Sequence, residues 1–197
     1  PNGIISIGNK EIWNTEKNEM QLWYGPDGRN STVSAFEGGY TGYYLRKFLD
    51  PSMDGQYQDI AQDTPWRHIR YAEILLNYAE ACIELGEYDE AKIYLNKIRK
   101  RAGMPDITAT GVELRECCRH ERRVELAFED HRMWDVRRWA IGPQAYKPVH
   151  GVTIIYKMDQ ETHVTDEIPT ITPYEFEKRT WLDKAYFFPI PRTEMNR

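Results

Sequence analysis

Trp66-Arg-His-Ile-Arg-Tyr-Ala-Glu-Ile-Leu-Leu-Asn-Tyr-Ala-Glu-Ala81 is the stretch that decides the fold. Ile69, Ala72, Leu76 and Ala79, with Ile83 just beyond, recur at spacings of three and four and form one apolar helical stripe. Thr64 and Pro65 predict the start of this helix, as an N-cap followed by a proline in the first turn. Gly86 predicts its end, because glycine adopts the left-handed conformation of a C-cap without penalty. A second helix carries Ala91, Leu95, Ile98 and Ala102 on one face, stops at Gly103, and is barred from continuing by Pro105.

A link this short forces the two helices into an antiparallel hairpin. Ala79 and Ala91 are small enough to let the backbones approach, and Leu85 to Ala91 resembles the inter-helix segment of a tetratricopeptide repeat. One such unit cannot form a solenoid and needs neighbours. Thr110 with Glu113 three residues on has the form of a capping box and opens a third helix through Leu114, Cys117, Val124 and Phe128. Around its end lies the densest ionic run, His120 to Trp139, in which Glu125 and Arg132 are read as members of structural ion pairs. The expected fold class is therefore all-α (mainly helical): a tetratricopeptide-like hairpin plus a further helix, with long irregular loops and few short strands. The chain is expected to be a single domain over 1–197, with a loop-rich aromatic segment at 1–63, a helical core at 64–140 and an irregular tail at 141–197. In the first segment Ile4, Ile5 and Ile7 suggest a short strand, and Gly-Pro-Asp-Gly28 and Glu37-Gly-Gly-Tyr40 mark turns.

Composition narrows the classes. With 26 basic against 31 acidic residues the net charge is −5, which argues against a nucleic-acid binder. Cys82, Cys117 and Cys118 are too few for a disulfide framework and read as small buried hydrophobes. No apolar run is long enough to cross a bilayer.

Candidate chemistry is sparse. His120-Glu121 starts a zincin motif, but Val124 stands where the second histidine is required, so no metal is expected. Glu121, Glu125, Glu129, Asp130 and Asp135 each have an arginine within three or four residues, which favours ionised, paired carboxylates over a glycosidase acid. No nucleophile elbow, phosphate-binding glycine loop or EF-hand is present, and Asp50, Asp54 and Asp59 around Gly55 read as a surface turn. No cofactor and no catalytic residue is expected. The aromatics are more informative. Trp134 and Trp139 on helical sequence are expected in the core, whereas Trp13, Trp23, Tyr24, Tyr40 and Tyr43 sit in polar, Gly-rich sequence. Flat aromatic faces near Asn14, Asn18, Gln21, Asp27, Arg29 and Asn30 suit the C–H face and the hydroxyls of a sugar, so these five are the candidate glycan-binding residues.

Four ordered blocks resemble the SusD/RagB family: the Arg70-x-Ala-Glu-x-x-Leu-x-x-Ala-Glu-Ala81 run, Leu95 to Gly103, Glu121 to Glu129 with Arg132, Asp135 and Arg138-Trp139, and Phe188-Pro-Ile-Pro191 with Glu194. Thr41 to Pro51 fits the segment that precedes the helix. The resemblance implies a non-enzymatic outer-membrane lipoprotein, exposed at the cell surface, that captures oligosaccharides and hands them to a SusC-like TonB-dependent porin. It also implies that this chain is the C-terminal part of a longer protein, with the lipid anchor outside it. The alternatives are a tetratricopeptide adaptor and a peptide-binding member of the same family.

Overall fold

The computed structural model describes residues 9–25, 41, 43, 45, 47, 48 and 65–195. They fall in two compact units. One joins residues 1–46 to 142–185 and is built on a sheet; the other joins 47–141 to 186–197 and is helical. Helix occupies 42% of the described residues and strand 19%, so the all-α expectation gives way to a mixed architecture in which helix predominates.

In the helical unit, α1 (Tyr71–Leu85) and α2 (Tyr88–Arg101) form the expected hairpin. Gly86 sits at φ 81 and closes α1, with the Gly86 N–H donating to Ile83 O and the Glu87 N–H to Cys82 O. Gly103 repeats the device after α2, at φ 70. Ala79 and Ala91 are both fully buried, as close packing of the two helices requires. α1 begins at Tyr71, capped by Arg70 in extended conformation, and not at Pro65. Residues 65–70 form no helix because Arg70 is held from outside its own segment: its guanidinium donates to the carboxylates of Glu125 and Glu129. Ile69 is accordingly exposed, and the buried stripe runs through Leu75, Leu76, Ala79, Cys82 and Ile83.

Helix α3 (Gly111–Glu125) packs chiefly on α1. Thr110 is its N-cap residue as expected, but its side chain makes no capping bond. Val124 and Phe128 are exposed, and the buried face is Leu114, Cys118, Glu121 and Arg122. Apolar burial therefore runs out halfway along the helix and charge takes over. Burying Leu76, Leu95 and Leu114 contributes about 1.5–3 kcal/mol each. A short helix that the sequence reading left undivided from the third, α4 (His131–Arg138), follows after a tight reversal. The Arg122 Nε donates to Asp135 of α4 at 2.9 and 3.0 Å, and its Nη1 donates to Asn77 of α1 at 2.6 Å.

The sheet unit has strands β1 (Asn9–Asn14), β2 (Glu19–Trp23), β3 (Val149–Tyr156) and β4 (Thr170–Glu177) in the order β2-β1-β3-β4. β1 pairs antiparallel with β2 and parallel with β3, and β3 pairs antiparallel with β4. The β1–β2 turn is fixed by Asn14, whose Oδ1 accepts from the Glu16 and Lys17 N–H groups, and by Asn18 at φ 52. Pro173 lies within β4, which is tolerated because β4 is an edge strand. The one-turn helix α5 (Gly142–Ala145) needs its glycine, since a β-carbon at Gly142 would fall inside the Trp181 indole. A second one-turn helix, α6 (Arg192–Met195), ends the described chain.

The Arg122–Asp135 pair is all but closed to water, with side chains 6% and 3% exposed. Asp135→Ala is expected to cost about 3–5 kcal/mol by leaving a buried guanidinium uncompensated, whereas Arg122→Met with Asp135→Leu should recover most of that loss. Urea unfolding checks both; an unchanged midpoint for Asp135→Ala would rule out this pair as a structural pin.

Candidate functional site

The sheet register sorts the aromatic candidates onto faces. Trp23 pairs with Lys10, and Lys10 pairs with Tyr156, so these three side chains make one row across three strands. Lys10 Nζ stands 5.8 Å from the Tyr156 ring centre. Ile12, Asn14 and Gln21 share this face, where Asn14 Nδ2 donates to Gln21 Oε1 at 2.8 Å. Trp23 is 41% exposed on it. Trp13 points to the opposite face and stacks on His163 at 4.1 Å and 14°. The two tryptophans therefore cannot serve one ligand surface. Tyr24 is half-buried at the end of β2 and Tyr43 is exposed. Tyr40 lies outside the described residues, as do Asp27, Arg29, Asn30, the Ile4 to Ile7 strand, the glycine turns and the Asp50 to Asp59 loop. Tyr156 was missed because its membership of the row depends on a parallel pairing with Lys10, 146 residues earlier, which local sequence does not encode.

In the helical unit, the reversal between α3 and α4 shapes two clefts. The larger, about 350 Å³, is lined by Leu126, Phe128, Asp130, Arg132, Met133 and Trp134. The smaller, about 210 Å³, has Trp66, His68, His131 and again Asp130 and Trp134 in its wall. Phe128 and Asp130 stand at φ 62 and 63, unfavourable for a bulky phenylalanine and imposed by turning the chain within five residues. Trp134 is 54% exposed, which corrects its assignment to the core. Trp139 is half-buried: its Nε1 donates to Glu80 at 2.6 Å, and Arg119 and Arg138 lie over its ring.

Four of the five carboxylates are paired, but mostly not with their sequence neighbours; Asp130 is exposed and in no ion pair among the described residues. Glu121 binds Arg99, Glu125 binds Arg70 and Arg101, and Glu129 binds Arg70 and Lys47. Only Asp135 uses a nearby arginine, Arg138, beside its bond to Arg122. Glu80 accepts both Arg138 amino groups at 2.6 Å. Burial opposes ionisation of Glu80 and Glu129, yet donors and charge from Arg138 and Trp139, and from Arg70 and Lys47, hold both carboxyls below their usual range. A general acid needs the reverse shift. Arg70 and Lys47 also donate to the Glu125 carbonyl, and Lys47 to that of Ala127, which satisfies the C-terminal end of α3 with cations.

Arg132 departs from the ion-pair expectation. Among the described residues it has no carboxylate within pairing distance. Burial, together with the neighbouring charge of Arg123, lowers its pKa, with Asp135 acting weakly the other way. All three cysteines are free; Cys82 and Cys118 are buried and Cys117 partly so. Burial beside Glu80 pushes the Cys118 thiol up to about 12, so it is inert.

A family model described as the SusD family matches residues 6–197. SusD-like protein P2 of Formosa agariphila is 38% identical over 41% of this chain and 18% of its own. SusD-like protein P38 of the same organism is 31% identical over 56% of this chain and 22% of its own. The crystal structure of a SusD-like protein from Bacteroides fragilis superposes with a TM-score of 0.71 at 33% identity, covering 98% of this chain and 35% of that one. The chain thus spans about a fifth of the curated relatives it matches and about a third of the solved one.

Because the folded Glu129 carboxyl is depressed, the stability it contributes is complete above the ordinary glutamate range and is lost as pH falls through its folded value. Urea unfolding from neutral into acid conditions should show the wild type weakening on the acid side, and Glu129→Gln weaker at neutrality but with a flatter acid limb. Identical acid limbs would remove Glu129 from the account.

Proposed function

The chain belongs to the SusD family, and from this we propose that it forms part of a nutrient-capturing protein at the bacterial outer-membrane surface, which binds oligosaccharides and passes them to a SusC-like TonB-dependent porin. SusD-family proteins bind without catalysing. The observation that carries the proposal is the family match over residues 6–197, which takes in both the helical hairpin and the ionic junction behind it. The depressed carboxyls of Glu80 and Glu129 agree with binding without turnover.

The sheet supplies the kind of surface that capture needs. Trp23 and Tyr156 lie two strand spacings apart, about 9–10 Å, on a face that also carries Gln21 and Asn14. Aromatic rings so spaced can hold separate units of one extended glycan, with the amides left to its hydroxyls. Attachment to the membrane would come from a lipid anchor; among the described residues no helix is long and apolar enough to cross a membrane.

Calorimetric titration against soluble polysaccharides and their oligomers, with chromatography of the recovered sugar, tests the proposal. Binding with intact sugar is expected; cleavage products would sink it. Trp23→Ala should weaken the preferred glycan by about fivefold, on the order of 1 kcal/mol of lost stacking, while Trp13→Ala, on the other face, should leave that affinity unchanged.

A further inference from the structure

Most guanidiniums near the α3–α4 reversal are matched: Arg70 to Glu125 and Glu129, Arg99 to Glu121, Arg122 to Asp135, Arg138 to Asp135 and Glu80. Arg123, Arg137 and Arg132 have no carboxylate partner among the described residues, and of these three the cleft is lined by Arg132. It is half-buried in the wall of the 350 Å³ cleft, and no described carboxylate reaches it. The charged groups around it are known. Arg123 adds a second positive charge, and Asp135 is nearby but already bonded to Arg122 and Arg138. Asp130 shares the cleft wall and is exposed. A desolvated guanidinium beside a like charge has an unmet demand for an anion, and its planar fork suits a carboxylate or a sulfate.

The other wall supplies a second requirement. Trp134, more than half exposed, stands at the cleft beside Met133 and Phe128. An indole face takes the C–H face of a pyranose, and a cation at its edge takes a charged substituent of the same ring. We propose that this cleft binds an acidic sugar unit, the ring lying on Trp134 and its anionic group pairing with Arg132. The inference rests on the oligosaccharide-capture reading and narrows its ligand class to anionic glycans, either uronates or sulfated sugars.

Titration of the full chain with three probes tests it: an oligogalacturonate, a sulfated galacto-oligosaccharide, and the neutral galacto-oligosaccharide of the same length. At least one anionic probe should bind about tenfold more tightly than the neutral one, and raising the salt should shrink that margin. Which anionic probe is preferred tells carboxylate from sulfate recognition. Arg132→Gln should abolish the margin, Arg132→Lys should keep part of it as a point charge without the fork, and Trp134→Ala should weaken binding while melting as the wild type does. Neutral binding equal to anionic, with Arg132→Gln unaffected, would overturn the inference and leave oligosaccharide capture standing. No binding of any sugar would overturn both. If Arg132→Gln melts early and no anionic preference exists in the wild type, Arg132 is a structural cation covered by other polypeptide and the inference fails. If that variant does not fold, the wild-type margin, its salt response and Trp134→Ala decide.

Discussion

Two charges with almost no access to water, the Arg122 guanidinium and the Asp135 carboxylate, face each other where α3 gives way to α4. Removing such groups from water costs several kcal/mol per ion, and the cost is recovered only with near-complete hydrogen bonding. The helical unit meets this condition. Arg122 also donates to Asn77 of α1, and Asp135 also accepts from Arg138, which in turn grips Glu80 of α1. Three helices are therefore tied by directional bonds at the edge of the apolar core. The fully buried large side chains, Leu76, Leu95, Leu114 and Cys118, all belong to the hairpin and the first half of α3. Beyond them Leu126 and Val136 are buried as well, and the ion pairs add a positional constraint, since a helix sliding by one turn would strand a buried ion. Hydrophobic packing alone would tolerate small slips of that kind.

This division explains what could be read from the sequence. The hairpin was legible because its determinants are local: a 3.6-residue stripe, two left-handed glycines, and two alanines at the crossing. The start of α1 was not, because Arg70 answers to Glu125 and Glu129, and no local cap signal records a partner more than fifty residues away. Glu121, Glu125, Glu129 and Asp135 were rightly read as paired and Asp130 was not, and the partners assigned by proximity were mostly wrong. In a helix, neighbours at three and four residues are available, yet tertiary geometry offers better-oriented arginines from other helices. The faces of the aromatic candidates are set by long-range pairing in the same way. Trp13 and Trp23 both lie in short strands near turns, and only the register reveals that they face apart.

The two strands after residue 148 carried a visible signal, the β-branched run Val152-Thr-Ile-Ile-Tyr156. The prolines around it masked the pattern. Pro173 is compatible with a strand because β4 is an edge and its missing N–H faces no ladder. Edge or centre is a property of the assembled sheet, so a proline count by itself could not decide the matter.

A chain with net charge −5 would be expected to repel acidic ligands, and over long distances it does. Local chemistry runs the other way. Most carboxylates at the junction are spent on holding helices together, and pairing with arginine takes away both their free charge and their capacity to act as acids. Among the described residues, what remains in the cleft is Arg132 beside Trp134, with Arg123 close behind and the exposed Asp130 in the same wall. Screening by salt limits the reach of the overall charge to about 8–10 Å, so contact-range groups decide what can dock. A scaffold that consumes its acids for structure is in this way left with cations for recognition. The same economy that makes the junction unsuited to hydrolysis suits it to holding an anionic sugar unchanged.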